Sequence, residues 1–252
     1  MPAADADSDL VLRPALAEDL PDVAELFLAT RAAAVPAMPA VVRPVEEVRA
    51  YVGGWDLSLP AEREVWVAAD DLGLAGFAVL KHDWLDALYV APDRQGTGVG
   101  SALLDLVRTL RPSGFGLWVF ASNTPARAFY RRHGLLELEH TDGSGNEERS
   151  PDVHLAWPGA DPLAHLRGAV DAVDDELATL LARRLALVAT IQGHKQQAGL
   201  GSGRAGRDPE RERAIVERMA RHAPGLPEAA LVPVMDAVIT ACLDAWEASG
   251  GA

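Results

Sequence analysis

The sequence predicts an α/β domain followed by an all-α, three-helix domain, divided at residues 158 and 159. Three observations carry that prediction. Up to Trp157 short apolar runs alternate with amphipathic stretches, the texture of interleaved strands and helices. Beyond it the alternation stops, and leucines and valines recur at helical spacing. Between the two lies the breaker cluster Pro158, Gly159, Ala160, Asp161 and Pro162, with Asp161 placed to cap a helix and Pro162 to begin it.

In the first part, residues 10–13, 64–69, 73–80, 84–90, 116–121 and 152–157 are expected as strands, and 21–30, 44–51, 98–110 and 124–133 as helices. In the second part a long helix is expected over 162–197, with an apolar stripe that includes Leu163, Val170, Val173, Leu177 and Leu180. Residues 198–206 have the glycine and serine content of a flexible connection. A second helix is expected from Asp208 and a third over 227–248. Helices of such unequal length leave the first one's stripe in water, so a homodimer formed through it is expected.

Hydrophobic residues make up 49% and charged residues 24% of the chain, an ordinary globular composition. The single cysteine, Cys242, can form no internal disulfide, and no metal site is expected, so a cytoplasmic location is expected. The acidic first ten residues do not read as a secretory leader, and no segment is expected to span a bilayer. The net charge of −14 divides into 24 acids and 13 bases in residues 1–158, and 13 acids and 10 bases in the remainder. Neither nucleic acid nor membrane is expected as a partner.

The strand ending in Leu88 and Val90 runs through residues 91–94 into Gln95, Gly96, Thr97, Gly98, Val99, Gly100 and Ser101, and then into a leucine-rich helix. A strand, a glycine turn and a helix start together form an anion site, because free amides and the positive helix end converge there. A plain structural turn would have the same glycine content. The order of residues resembles the acetyl-CoA motif of the GNAT superfamily, with Gln95, Gly98 and Gly100 in the matching places. Downstream, Asn123, Ala126, Phe129, Tyr130 and Gly134 match a second GNAT pattern.

The resemblance covers about residues 9–157 and implies a mixed, mostly antiparallel sheet with acetyl-CoA as cofactor. It implies that the amides from Gly96 to Ser101 hold the pyrophosphate and that Leu88 and Val90 flank the pantetheine arm. Asn123 is implied as a further cofactor contact. Tyr130 is implied as the acid that protonates the leaving thiolate, against the alternative of an aromatic ring packed beneath the turn. Amine attack also needs a base, and Asp86, on the strand face of Leu88 and Val90, is the candidate, with a solvated carboxylate as the competing reading. Recognition of a small-molecule amine acceptor is expected from residues 21–53 and 141–150.

In the helical part Arg167, Arg184, Lys195 and Arg211 stand among apolar residues, Arg184 and Lys195 on one helix face and Asp208, Arg211 and Glu212 together on the next helix. Helix-face cations are commonly just solvated. Residues 161–247, however, resemble AroQ-type chorismate mutases, and that resemblance implies a set of roles. Arg184, Arg211 and the partner's Arg167 grip the two carboxylates of chorismate, Lys195 donates to the ether oxygen, and Asp208 with Glu212 meets the ring hydroxyl. The reaction is a concerted rearrangement, which a protein assists by holding the reactive conformer and stabilising charge on the ether oxygen. Aligning the third helix by its apolar stripe puts Cys242 and Trp246 where the family has a small polar residue and a Gln or Glu donor. The expected function is bifunctional, acetyl transfer plus a chorismate-type rearrangement. The alternative is an acetyltransferase whose helical domain is inactive and serves dimerisation or metabolite sensing.

Overall fold

The computed structural model describes residues 10–58, 62–201, 207–223 and 225–250. Residues 1–9, 59–61, 202–206 of the glycine-rich connection, Pro224 and residues 251–252 lie outside them. The chain separates into two compact units, Met1–Arg167 and Gly168–Ala252.

Among the described residues the first unit has seven strands: β1 (Val11–Pro14), β2 (Glu64–Asp70), β3 (Gly73–Lys81), β4 (Trp84–Val90), β5 (Phe115–Phe120), β6 (Leu136–His140) and β7 (Asp152–Trp157). They form one sheet in the order β1-β2-β3-β4-β5-β7-β6. Every pairing is antiparallel except β4 with β5, so the sheet is mixed and mostly antiparallel. Helices α1 (Leu20–Ala33), α2 (Val45–Gly53), α3 (Val99–Leu110) and α4 (Thr124–Arg132) complete the unit.

Period-two alternation in β3 explains how both sheet faces are covered. Ala78 and Leu80 point into a core with Leu103, Leu104 and Val107 of α3, whereas Phe77 and Val79 point into a second core with Val23 of α1 and Val52 of α2. Gly76 allows α3 to sit this close. A Cβ there would stand 2.8 Å from the Tyr89 carbonyl and 3.1 Å from both Val99 and Leu103. The start of α3 is therefore held against β3 and the end of β4.

The expected strands and helices all form, with ends displaced by a residue or a few. One strand, β6, was not expected. Its sequence LELEH alternates, but it is short and rich in glutamate, and at the sheet edge Leu136 and Leu138 stay 41% and 37% exposed.

Three helices follow: α5 (Pro162–Gln197), α6 (Pro209–His222) and α7 (Glu228–Ala248). Val188 of α5, Val216 of α6 and Leu231, Met235, Ile239 and Leu243 of α7 form the core of the second unit. Contrary to expectation, among the described residues one helix is long and apolar enough by length and composition to cross a membrane: α7, with mean hydropathy 1.5. Its buried leucines and isoleucine form that core, and the core helix of a small bundle meets the same criterion.

Candidate functional sites

Strands β4 and β5 pair at Trp84 and Gly116 alone, at the start of both strands, and then diverge. A cavity of about 210 Å³ lies in the opening, lined by β4 from Leu85 to Tyr89, by β5 from Leu117 to Phe120, and by Tyr130 of α4. The parallel neighbours lose their ladder here, which leaves one main-chain edge of β4 facing the opening. The Val90 carbonyl on that edge accepts from Thr30 Oγ1 and from Gln95 Nε2, each at 3.3 Å.

The turn after β4 is fixed from three sides. Arg94 is ion-paired with the buried carboxylate of Asp70, Thr97 Oγ1 donates to the Arg94 carbonyl at 2.7 Å, and Gln95 is tied to Val90. Gly96 and Gly98 have φ of 78° and 97°, left-handed values that glycine adopts without strain. The first bond of α3 runs from Ala102 N–H to Gly98 O at 3.0 Å, and no side chain caps the helix. The amides of Val99, Gly100 and Ser101 precede that bond and so have no partner within the helix. A Cβ on Gly98 would meet nothing within 4 Å, so the space before the helix is open. Bare amides beside open space fit a pyrophosphate.

The sequence-assigned side chains around this turn have structural work of their own. Gln95 anchors the turn, and Ser101 Oγ lies 3.0 Å from His133 Nε2. Asn123 caps α4, its Oδ1 accepting from Ala126 N–H at 3.2 Å. The side chains of Gln95, Ser101 and Asn123 thus each have a protein partner, because each sits at the end of an element that needs fastening.

Tyr130 is buried, and burial raises its phenol well above the ordinary tyrosine value, with Tyr89 adding to the rise. It is therefore a protonated group at the cavity wall. Asp86 occupies a bulge, because Ala87 pairs with Val79 and Leu85 with Leu80, which leaves Asp86 between them without a register partner. Its Oδ2 lies 2.9 Å from Lys81 Nζ.

Asp86 also lines a second cavity of about 300 Å³, walled by Phe27 of α1, Tyr51 and Val52 of α2, Trp55, Phe77, Tyr89, and Arg43, Glu147 and Glu148. Both segments assigned to acceptor recognition contribute. The 141–150 loop is held in place by Arg31, whose Nη2 donates to Glu148 at 2.7 Å, and by Arg43, whose Nε donates to Glu147 at 2.9 Å. Burial works hardest against the charge of Arg31, yet Tyr89 and Glu148 outweigh it and hold the guanidinium above its usual value. The sequence reading missed Arg31 and Tyr89, since no local motif marks an arginine that meets its carboxylate 117 residues away.

In the second unit a cavity of about 540 Å³ brings together Arg184 and Lys195 of α5, Arg207 and Asp208 before α6, Arg211 and Glu212 of α6, and Ile239 and Leu243 of α7. Arg184 Nη1 is buried with no hydrogen-bond partner among the described residues, a donor waiting for an acceptor. Both acidic side chains on this wall are engaged within the protein. Asp208 caps α6 by accepting from the amides of Glu210 and Arg211 at 3.1 Å, and Glu212 is gripped by Arg207 through Nε at 2.8 Å and Nη2 at 2.6 Å. Arg207, which also reaches Asp236 at 2.6 Å, was not singled out in sequence, although it directly precedes Asp208.

On α7 four positions near the cavity are buried. Cys242 and Trp246 are buried but are not among the described residues that line the cavity; Ile239 and Leu243 take that place. The apolar stripe alone could not choose between these faces, because all four positions are buried. Arg167 falls in the first unit and does not line it either.

The chain was compared with known proteins. A family model described as acetyltransferase (GNAT) domain matches residues 61–134, and one described as chorismate mutase type II matches residues 166–245. Over 98 residues the chain is 32% identical to peptidyl-lysine N-acetyltransferase YjaB of Salmonella typhimurium, covering 38% of this chain and 67% of that protein. Over 101 residues it is 31% identical to peptidyl-lysine N-acetyltransferase YiaC of Escherichia coli, covering 39% and 66%. Among solved structures, apo YjaB from Escherichia coli aligns with a TM-score of 0.49 at 24% identity, covering 60% of this chain and 99% of that one. The PaiA N-acetyltransferase of Thermoplasma acidophilum in complex with coenzyme A aligns with a TM-score of 0.46 at 19% identity, covering 60% and 99%.

Proposed function

The chain belongs to the GNAT acetyltransferases and continues into a chorismate mutase type II domain, and from that premise we propose a bifunctional cytoplasmic enzyme. One half uses acetyl-CoA to acetylate a small-molecule amine, and the other rearranges chorismate or a close analogue to prephenate.

For the first half the supporting observation is the uncapped start of α3 beside the splayed edge of β4. The amides of Val99, Gly100 and Ser101 hold the pyrophosphate, and the edge of β4 at Leu88 and Val90 lies along the pantetheine arm. When bound, acetyl-CoA supplies an activated acyl carbon and a thiolate leaving group. Asp86 takes the proton of the amine, and Tyr130, kept protonated by its burial, gives one to the departing sulfur. Thiol release from acetyl-CoA across a panel of amines tests this. Tyr130→Phe is expected to lower kcat about a hundredfold while KM for acetyl-CoA stays unchanged. An unaltered kcat would remove Tyr130 from the reaction.

For the second half the supporting observation is the unpartnered Arg184 donor on one wall with Lys195 and Arg211. Arginine forks suit the carboxylates of chorismate, and a lysine tip suits its ether oxygen. Arg167 lies 17 residues before Arg184 on α5, about 26 Å along the axis, too far to serve the same cavity. A second copy would bring its own, and the row Val170, Val173, Leu177 and Leu180, each more than half exposed, supports a homodimer built along α5. Loss of chorismate absorbance on mixing with the protein tests turnover, and light scattering tests the dimer. The engaged carboxylates of Asp208 and Glu212 and the apolar α7 wall favour a second reading, a site that binds chorismate without converting it. Calorimetric binding with no loss of absorbance would select that reading.

A further inference from the structure

We propose that Arg207 is a positioning residue of the helical cavity, which it makes selective for dianions by cancelling the charge of Glu212. This rests on the chorismate reading above. It gives Glu212 a part different from the contact with a ring hydroxyl that the family resemblance implies.

Among the described residues, Arg184, Lys195, Arg207 and Arg211 line the cavity together with the acids Asp208 and Glu212. A ligand with two carboxylates is repelled by either acid unless its charge is compensated, and each is compensated differently. Asp208 accepts from the amides of Glu210 and Arg211 at the start of α6, where the helix dipole favours negative charge. Glu212 lies past the free amides, its own N–H already bonded to the Asp208 carbonyl at 3.0 Å. Its countercharge is a side chain: Arg207 donates to it through Nε at 2.8 Å and Nη2 at 2.6 Å, a two-point fork. Arg207 directly precedes the cap and Glu212 lies four residues after it, the two positions that a hydrophobic staple joins. The local fold of the helix start therefore brings them together.

Arg207 also reaches α7, through Nη2 to Asp236 at 2.6 Å and Nη1 to Thr240 at 3.5 Å, so a plain latch between helices is the competing reading. Exposure decides between them. The Asp236 side chain is 60% exposed, where water screens an ion pair, whereas that of Glu212 is 25% exposed and lines the cavity. With Arg207 in place, the wall offers a dianion Arg184, Lys195 and Arg211 without an opposing carboxylate. Without it, Glu212 stands on that wall as a bare negative charge.

The test is calorimetry of chorismate with the full-length protein and four variants at about 20 mM salt, where charges are little screened. Arg207→Gln is expected to raise Kd about tenfold, and the difference from the parent is expected to fall below about threefold at about 0.5 M salt. Glu212→Gln, close in size and still able to accept from Arg207, is expected to lower Kd about threefold. The double variant, Arg207→Gln with Glu212→Gln, is expected to return Kd to within about twofold of the parent. Asp236→Asn weakens the link to α7 alone and is expected to leave Kd within about twofold. If thermal melts show Arg207→Gln unfolded, Glu212→Gln decides by itself. No binding by the parent protein overturns the chorismate reading and this inference with it. Binding by the parent overturns the masking alone if Glu212→Gln weakens it, if the double variant shows no recovery, if the Arg207→Gln loss ignores salt, or if Asp236→Asn loses as much.

Discussion

At the start of α3, two glycines at positive φ carry the chain to three amides that no side chain caps, so what the turn offers a ligand is main chain. The cavity among α5, α6 and α7 is the opposite case: regular helices hold Arg184, Lys195 and Arg211 at fixed positions, so what it offers a ligand is side chains. The difference teaches where each unit is vulnerable. A main-chain site is lost when a side chain intrudes, a side-chain site when one is removed.

The largest expected effect is at the second of these. Lys195→Ala is expected to lower chorismate turnover by 10² to 10³, about 3–4 kcal/mol of barrier, read as the rate of absorbance loss. Because α7 contributes Ile239 and Leu243 to the wall, no donor from that helix replaces the ammonium. Next comes an intruding side chain: Gly98→Asp puts a carboxylate into the open space before α3 and forces an unfavourable φ of 97°. In the parent protein, acetyl-CoA at a hundred times its Kd is expected to add about 2.7 kcal/mol of stability, and the variant is expected to lose that increment in thermal melts. An equal shift in both proteins would show that the cradle is elsewhere.

The smallest effect sharpens the contrast by marking the sheet unit's own unfolding. Asp19 accepts from Arg13 at 2.6 Å and 2.8 Å and from Leu16 N–H at 2.7 Å. The Arg13 guanidinium, with the Leu16 amide assisting against burial, holds the Asp19 carboxyl below its ordinary value. A lowered folded value means that the contribution is present at neutral pH and is lost as pH falls through that value. Asp19→Asn is therefore expected to cost about 1–2 kcal/mol at pH 7 and nothing in strong acid, seen as a Tm difference that closes on acidification. The transition of the helical unit should not move.

How much of each site could be read from sequence follows the same division. The glycine turn was legible because Gln95, Gly98 and Gly100 stand within six residues of one another, and the helical cations because Arg184 and Lys195 share one helix with a regular period. The bulge that lets Asp86 line two cavities was not legible, since a bulge is a property of two strands and not of one. The fastening of the 141–150 loop by Arg43, 104 residues from Glu147, was equally invisible. On α7 the stripe located the buried side, but only packing against α6 decided that Ile239 and Leu243 face the cavity.

The sequence by itself determined the two architectures, their order and the two clusters proposed as sites, because periodicity, glycine turns and helical spacing are local and survive in one dimension. Tertiary structure alone decided the opening between β4 and β5, the lining of the cavity beside it and the engagement of Asp208 and Glu212. Those features arise where distant segments meet, and the free energy of such meetings depends on burial and partner geometry that no local pattern encodes.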